Sequence, residues 1–235
     1  MRKAVAGAVA PSSRAGAPRA SRHKQEKSSV RPNGADERTR AQDGLHHLRR
    51  ERILAEAAEL FNERGYSGTT VDAIAEQIGV TKPFIYYYIE KKSDILAEIC
   101  DQTIELPLIE LDRALADRGG PKEILQRFVL NFTRVQIENQ KFVNVFFREE
   151  LQLEPAMRNR MNAKRRQFDN KLSQLLETGM IKGEFDISDP RLSALALGGM
   201  VCWAFTWYRP SGRLSLDQIC DYIAGCALNL VRARP

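Results

Sequence analysis

The sequence predicts an all-α protein in which a small helix-turn-helix unit precedes a larger helical domain. Apolar residues recur at the three- and four-residue spacing of helices from residue 46 almost to the C-terminus. No segment shows the alternation of apolar and polar residues that is typical of a half-buried β-strand. We therefore expect three regions, which are an unfolded basic segment (1–44), the helix-turn-helix unit (45–92) and a helical domain (93–235).

The first 44 residues carry the whole excess of positive charge. They contain ten Lys or Arg and four Asp or Glu, whereas the formal net charge of the entire chain is +6. They are rich in Ala, Ser, Arg, Pro and Gly and contain no aromatic residue, which predicts disorder. Three interpretations stay open: a basic arm that contacts phosphates, a solvated tail without a role, and a mis-assigned start codon. A secretory signal is disfavoured, because the apolar part is short and interrupted by glycine.

A first helix is predicted over residues 46–64. Its buried face contains Ile53, Leu54, Ala57, Leu60 and Phe61, and Gly65 is expected to end it. A second, short helix follows, with Val71, Ile74, Ala75 and Ile78 at positions i, i+3, i+4 and i+7. Either Thr69 or Thr70 can cap its start, and Gly79 suits the left-handed position after its end.

A third short helix is predicted to start at Thr81, with Pro83 tolerated in its first turn and Ile85 and Ile89 in the core. The two short helices and the Gly-Val turn between them form a helix-turn-helix. The outer face carries Lys82, Pro83, Tyr86 and Tyr87, and the lysine and the tyrosine hydroxyls suit phosphate oxygens and base edges. A plain αα-hairpin without a DNA role is the competing interpretation.

The segment from Ile53 to about Cys100 resembles the N-terminal domain of TetR (tetracycline repressor-like) transcriptional regulators. The resemblance rests on ELF-x-x-x-GY, TTV-x-x-IA, the GV turn, YYY and the lysine pair before the next helix. It implies a dimer that reads a palindromic operator, with Lys82, Pro83, Tyr86 and Tyr87 in the major groove. Phosphates would be held by Thr70, Thr81, Tyr88 and Lys92. The Thr81-Lys82-Pro83-Phe84 start departs from the common Ser-x-Gly pattern, which leaves the operator sequence open.

The remaining helices are predicted from apolar stripes and turn residues. A fourth helix starts near Lys92 and is ended or kinked by Pro107, and residues 117–121 form a loop. Further helices begin at Pro121, near Phe142 and at Pro155, and two final helices cover residues 190–208 and 215–232. In TetR-like proteins two such final helices from each subunit form a four-helix dimer interface. That interface would contain Leu192, Leu195, Gly199, Trp203, Leu216, Ile219, Ile223 and Leu230, although two ordinary core helices would show the same stripes.

A second resemblance concerns the segment from about Met161 to Tyr208 and the residues directly after it. It is similar to the ligand domain of TetR-family repressors that sense CoA thioesters of lipid, sterol or aromatic-acid catabolism. The likeness rests on Gly179, Gly183, Phe185, Asp189, Pro190 and the WYRP-x-G-x-LS run. It implies a small effector, such as an acyl-CoA or aryl-CoA, in a pocket formed by Phe146, Phe147, Arg165, Met200, Trp203 and Trp207. The same aromatic and Met residues would equally serve as plain core.

Catalytic, metal and cofactor sites are not predicted. The cysteines Cys100, Cys202, Cys220 and Cys226 form no C-x-x-C pair, and the three histidines all lie N-terminal to residue 48. No nucleotide-binding or hydrolase motif occurs, and no run of apolar residues is long enough to span a membrane. Scattered cysteines in a helical protein favour reduced thiols and a cytoplasmic location. Two hypotheses remain: an effector-controlled repressor that binds DNA, or a helical carrier or interaction protein that does not bind an operator.

Overall fold

The computed structural model describes residues 34–234, with side chains from residue 42 onward. None of these residues forms a β-strand, as the sequence predicts. A short 3-10 turn at Glu150–Gln152 follows the sixth helix. The helices are α1 (Gly34–Gly68), α2 (Val71–Ile78), α3 (Lys82–Tyr88), α4 (Lys92–Ala116), α5 (Pro121–Glu138), α6 (Gln140–Glu149), α7 (Pro155–Ile181), α8 (Pro190–Cys202), α9 (Ala204–Trp207) and α10 (Leu216–Leu230).

Helix α1 begins earlier than the sequence predicts. It starts at Gly34 rather than at residue 46, so residues 34–44 are helical and the expectation of an unfolded chain is wrong for them. The reason is composition, because the segment ADERTRAQD is rich in Ala, Glu, Arg and Gln, which favour helix. Residues 1–33 of the predicted basic segment lie outside the described residues. Gly65 interrupts the helix as predicted, with φ 75° and ψ 161°.

The helix-turn-helix pair follows the predicted pattern closely. The four apolar positions of α2 are buried, and Thr70 caps the helix by accepting a hydrogen bond from the N–H of Ala73 at 3.1 Å. Thr69 is instead fully buried, and its hydroxyl donates to the carbonyls of Leu60 and Gly65. Gly79 adopts the left-handed conformation, with φ 78°. The pair shares one apolar core with α1, the first part of α4 and the inner face of α6.

Helix α4 does not end at Pro107. It continues to Ala116, although a proline cannot donate to the carbonyl four residues earlier, which belongs to Thr103. Pro107 is buried, and α4 packs against α5, α6 and α7 along its length. These tertiary contacts outweigh the one missing hydrogen bond.

The C-terminal helices form a second apolar core. It contains Leu111 of α4 together with inward residues of α5, α7, α8 and α10. Helix α10 packs along α5, and α8 packs along α7. The predicted helix 190–208 is divided at Trp203 into α8 and the single turn α9, so α8 is shorter than expected.

Candidate nucleic-acid interface and ligand cavity

The outer face of α3 presents the residues that the sequence assigns to it. Lys82, Pro83, Tyr86 and Tyr87 are all exposed, and 74% of Tyr87 is accessible to solvent. The Lys82 ammonium lies 2.7 Å from a carboxylate oxygen of Asp72 in α2, and this hydrogen bond raises the pKa of Lys82. The ion pair is exposed, so Lys82 can exchange Asp72 for an external anion at small cost.

Two threonines flank this face at the starts of the two short helices. Thr70 and Thr81 are both exposed N-cap residues. The Thr70 hydroxyl accepts from α2, whereas the Thr81 hydroxyl makes no capping bond to α3. Both threonines therefore present a hydroxyl group beside the N-terminus of a helix, where anions are favoured.

Tyr88 does not reach this surface. Only 6% of the residue is exposed, and its hydroxyl accepts a hydrogen bond from Nη1 of Arg49 at 3.0 Å. The ring packs against Phe84 and against His46 of α1. The predicted phosphate contact of Tyr88 is therefore corrected: with seven residues in α3, one of three consecutive tyrosines has to point toward α1.

Lys92 is also occupied within the protein. Its ammonium donates to the carbonyls of Tyr66 and Thr69, each at 2.9 Å, and lies 4.2 Å from the centre of the Tyr66 ring. Two of its three N–H donors thus hold the segment between α1 and α2, and the phosphate contact of Lys92 stays a prediction that would use the third. The neighbouring Lys91 is exposed and forms a 3.3 Å ion pair with Glu154.

Helix α6 connects the helix-turn-helix unit to the C-terminal helices. Asn144 donates a hydrogen bond to the side chain of Asn62 near the end of α1. The backbone N–H of Tyr66 donates to Oε1 of Glu149, the last residue of α6, at 3.1 Å. A displacement of α6 would therefore act directly on the end of α1 and on the loop that leads into α2.

Phe146 and Phe147 of α6 border a cavity of about 320 Å³. Its walls come from α4, α5, α6, α7 and α8, and most of the lining side chains are aromatic or aliphatic. The volume lies at the small end of the range found for ligand pockets, about 300–1,000 Å³. The lining residues include Ile104, Pro107, Phe132, Phe146, Phe147, Phe168, Leu195, Gly199 and Cys202.

A few polar groups interrupt the apolar lining of the cavity. Arg165 forms a 2.5 Å ion pair with Glu150, and its guanidinium carbon lies 4.7 Å from the centre of the Phe146 ring. Burial raises the pKa of Asp169, although the charge of Arg165 acts in the opposite direction. Burial also raises the pKa of the Cys202 thiol to about 11, so this cysteine stays protonated and unreactive at neutral pH.

The structure places only part of the predicted ligand set at this cavity. Phe146, Phe147 and Arg165 line it, whereas Met200, Trp203 and Trp207 do not. The correction has a simple cause, because Trp203 and Trp207 point outward at the end of α8 and in α9, where about half of each is exposed.

Four polar lining residues escape the sequence analysis: Thr103, Gln136, Glu150 and Asp169. Gln136 lies four and eight residues after Phe132 and Phe128, so it occupies a buried register of α5. A polar residue in that register is the sequence signal that identifies it.

A second concavity is larger but more polar. It measures about 630 Å³ and lies between α1, α2 and the junction of α5 and α6. Glutamates and side-chain amides line much of it, including Glu51, Glu56, Gln77 and Glu138. An apolar ligand would bury little apolar surface there, so the smaller cavity is the better candidate for one.

The predicted dimer face is divided between two environments. Leu192, Leu195, Gly199 and Trp203 form an exposed stripe along α8. Ile219 and Ile223 of α10 are buried against the rest of their own chain and are corrected to core residues. Leu216 is partly buried on the same core, and Leu230 is 37% exposed. The exposed side of α10 instead carries Tyr222.

Metal ligands do not converge among the described side chains, where no group of three or more His, Cys, Asp or Glu could hold an ion. Among the helices of residues 34–234, none is long and apolar enough to cross a membrane.

Two family matches cover most of the described chain. Residues 53–99 match the family described as "Bacterial regulatory proteins, tetR family". Residues 118–231 match the family described as "Tetracyclin repressor-like, C-terminal domain". The first match contains the helix-turn-helix, and the second contains α5 to α10.

Solved structures with the same fold are also transcriptional regulators. The TetR-family regulator PfmR of Thermus thermophilus is 30% identical over 78% of this chain and 99% of its own, with a TM-score of 0.69. AibR, solved in complex with isovaleryl coenzyme A and operator DNA, is 28% identical over 79% of this chain and all of its own, with a TM-score of 0.67.

Relatives found by sequence are transcriptional regulators as well. The transcriptional repressor KstR2 of Mycobacterium tuberculosis is 24% identical over 75% of this chain and 89% of its own length. YerO of Bacillus subtilis, an HTH-type regulator, is 26% identical over 129 residues, which span 45% of that protein.

Proposed function

The chain belongs to the TetR family of bacterial transcriptional regulators, and we propose that it is a dimeric repressor that a small effector releases from its operator. The observation that carries the proposal is the exposed row on α3, the second helix of an otherwise buried pair. Lys82, Pro83, Tyr86 and Tyr87 are exposed, with an edge contact between the rings of Tyr87 and Tyr88, and a major groove would cover them.

The proposed DNA contacts differ between these side chains. Tyr86 and Tyr87 extend from the middle of α3 and would meet base edges, and Pro83 would contact a thymine methyl group. Lys82 would leave Asp72 for a phosphate or a base acceptor, with Thr70 and Thr81 donating to the flanking phosphates. Two protomers would present two α3 helices to successive major grooves, about 34 Å apart.

We propose the 320 Å³ cavity as the effector site. AibR was solved with isovaleryl coenzyme A, and a short acyl group of that kind suits an apolar cavity lined by Phe132, Phe146 and Phe168. A complete CoA thioester exceeds the cavity, so its nucleotide would remain outside and only the acyl end would enter. The effector class proposed here is therefore a short acyl-CoA or aryl-CoA.

The release mechanism would act through α6. Phe146 and Phe147 line the cavity, while Asn144 and Glu149 of the same helix hold the end of α1 and the start of the following loop. An effector that displaces α6 would thereby tilt the helix-turn-helix units of the two protomers relative to each other. A conformational preference of about 2.7 kcal/mol lowers operator affinity about 100-fold.

The proposed dimer uses the exposed face of α8. Its leucines and Trp203 form an apolar stripe, and Gly199 allows a second helix to approach closely. Leu195 and Gly199 also belong to the cavity lining, so the partner helix would cover the cavity on that side. Helix α8 would then contact both the effector and the second subunit.

Fluorescence anisotropy tests the repressor. The probe is labelled DNA from the protein's own upstream region, titrated at several salt concentrations against a random duplex. Replacing Lys82 and Tyr87 together by Ala should lower operator affinity at least about 30-fold, since each base contact contributes about 1–3 kcal/mol. Lys182→Ala, at an exposed position after α7, is the control and should bind as the wild type does. Unchanged operator affinity in the double variant would contradict the proposal.

The effector class is tested in the same assay by adding isovaleryl-CoA, longer acyl-CoAs and benzoyl-CoA to the preformed complex. Release by one thioester, but not by free CoA, is the expected result.

Leu195→Asp tests the dimer by light scattering, because a buried aspartate on the shared face should produce monomers at micromolar concentration. If the Leu195→Asp protein remained a dimer, the dimer interface would not lie on α8.

A further inference from the structure

The cavity contains a buried polar side chain without a hydrogen-bond partner. Gln136 of α5 is only 3% exposed, and its Oε1 atom accepts no hydrogen bond from any described residue. Its neighbours on the same helix face, Phe128 and Phe132, are packed against Phe168. An unpaired amide in such a setting destabilises the empty protein, because its desolvation is not compensated.

Two other polar side chains of the cavity, Thr103 and Arg165, are already engaged elsewhere, whereas the half-buried Asp169 is an acid on the α7 side. The Thr103 hydroxyl, across the cavity, donates to the carbonyl of Ile99 at 2.9 Å. Arg165 is held by Glu150, and its guanidinium lies over the Phe146 ring. Gln136 lines the cavity although its Oε1 atom is itself covered, so a rotation of the amide would bring it to a molecule that enters.

We propose that Gln136 is a specificity-determining residue, which selects effectors whose inserted end carries a hydroxyl group. A hydroxyl can donate to Oε1 and also accept from the amide nitrogen, so it suits the amide in either orientation. The rest of the inserted group has to be apolar and uncharged. The positive charge of Arg165 is already neutralised by Glu150, and Asp169 is itself an acid. Neither residue would attract a ligand that carries a free carboxylate.

The inference deepens the proposed function, since it places the effector in the same cavity and names one of its chemical features. It does not depend on a CoA group. The aromatic pair p-cresol and toluene differ by one hydroxyl and are small enough for 320 Å³. The pair 3-hydroxyisovaleryl-CoA and isovaleryl-CoA presents the same difference on a thioester.

The experiment compares the full-length protein with Gln136→Met and with Gln126→Met. Methionine matches glutamine in length and removes the amide, and Gln126 is an exposed residue of the same helix. Affinities for both pairs are measured by titration calorimetry, and melting temperatures are measured without ligand. The wild type and Gln126→Met should bind the hydroxylated member of each pair about 5- to 10-fold more tightly.

Gln136→Met should lose that preference or prefer the member without the hydroxyl. Without ligand, it should also melt a few degrees higher, because it no longer buries an unpaired polar group. A preference that survives in Gln136→Met would overturn the proposal. Equal affinities of the wild type for the two members of each pair would overturn it as well. So would the absence of saturable binding of p-cresol and toluene.

The two proposals fail in different ways. If neither thioester binds but p-cresol is preferred through Gln136, the CoA interpretation is lost and the role of Gln136 stands. If the thioesters release the operator equally with and without the hydroxyl, the repressor stands and the role of Gln136 is lost.

Discussion

Helices α8 and α10 carry apolar stripes of the same spacing, but the two stripes face opposite environments. Leu192 of α8 is 65% exposed, whereas Ile223 of α10 is 5% exposed. Helix α10 lies along α5 and uses its stripe to close the C-terminal core. Helix α8 packs on α7 and buries Ala194, Leu197 and Val201 in the same core, while Leu192 and Leu195 stay outside. A stripe therefore identifies an apolar face, while the neighbouring helices determine whether the same chain covers it.

The helix-turn-helix end shows the same contrast between adjacent residues. Tyr87 is exposed and Tyr88 is buried, although both follow Tyr86 in one helix. Lys91 is exposed, whereas Lys92 is bonded to two backbone carbonyls. In each pair the inward residue maintains the fold, and the outward residue is available for a partner.

The largest expected effect on stability concerns the apolar stripe of α10, which faces the C-terminal core. Ile223→Ala should lower the free energy of unfolding by about 2–4 kcal/mol, because it creates a cavity between α10 and α5. Leu192→Ala should leave monomer stability nearly unchanged and weaken only self-association. Urea unfolding followed by circular dichroism, over a range of protein concentrations, separates the two contributions. If both variants lost similar unfolding free energy at low protein concentration, the stripe of α8 would be as important to the monomer as that of α10, contrary to this prediction.

A smaller effect is expected at the lysine pair. Lys92→Met should cost about 2 kcal/mol of unfolding free energy, because two charge-assisted hydrogen bonds to Tyr66 and Thr69 disappear. Lys91→Met is the matched control and should unfold at the wild-type denaturant midpoint, since its ion pair is exposed. If Lys92→Met were as stable as the control but bound operator weakly, Lys92 would be a DNA contact after all.

The tyrosine pair predicts opposite outcomes in two assays. Tyr88→Phe should lower the unfolding free energy by about 1 kcal/mol, because Arg49 loses its hydrogen-bond acceptor, and should leave operator affinity within about twofold of wild type. Tyr87→Phe should leave stability unchanged and weaken operator binding if its hydroxyl meets DNA. Reversed outcomes would show that α3 rotates when the protein binds its operator.

The sequence was sufficient for the helix-turn-helix because local signals specify it. The left-handed glycine at residue 79 and four apolar positions fixed the end and the inner face of α2, and the threonine pair located its start to within one residue. The outward positions of α3 followed from the same periodicity. The sequence did not show that Tyr88 bonds Arg49 or that Lys92 bonds the carbonyl of Tyr66, since these partners lie 39 and 26 residues away.

The cavity was less predictable, because five helices build it. Phe146, Phe147 and Arg165 were identified, but Trp203 and Trp207 were included for their type rather than their direction. Periodicity alone could not show that Pro107 would leave α4 continuous or that Gln136 would remain unpaired. Such features depend on contacts between helices that are distant in sequence.

The smallest expected effect concerns two carboxylates of α7. Asp169 lines the cavity, and burial raises its pKa above the ordinary 3.8, whereas Glu177 is exposed. A raised pKa means that the folded protein binds the Asp169 proton more tightly than the unfolded chain does. Ionisation therefore costs stability at neutral pH, and this cost disappears as the pH falls through the folded pKa toward the ordinary value.

Asp169→Asn removes the ionisation and should raise the unfolding free energy at pH 7 by about 0.5 kcal/mol or less, because solvent screens a half-buried carboxylate. The gain should shrink as the pH falls toward the ordinary value of 3.8, because Asp169 takes up its proton more readily in the folded protein than in the unfolded chain. Glu177→Gln is the control and should show no such pH dependence. Urea unfolding of the three proteins between pH 4 and pH 7 measures the difference. A gain that grows on acidification would mean that Arg165 stabilises the ionised Asp169, and the cavity would then hold a second ion pair in addition to Arg165 and Glu150.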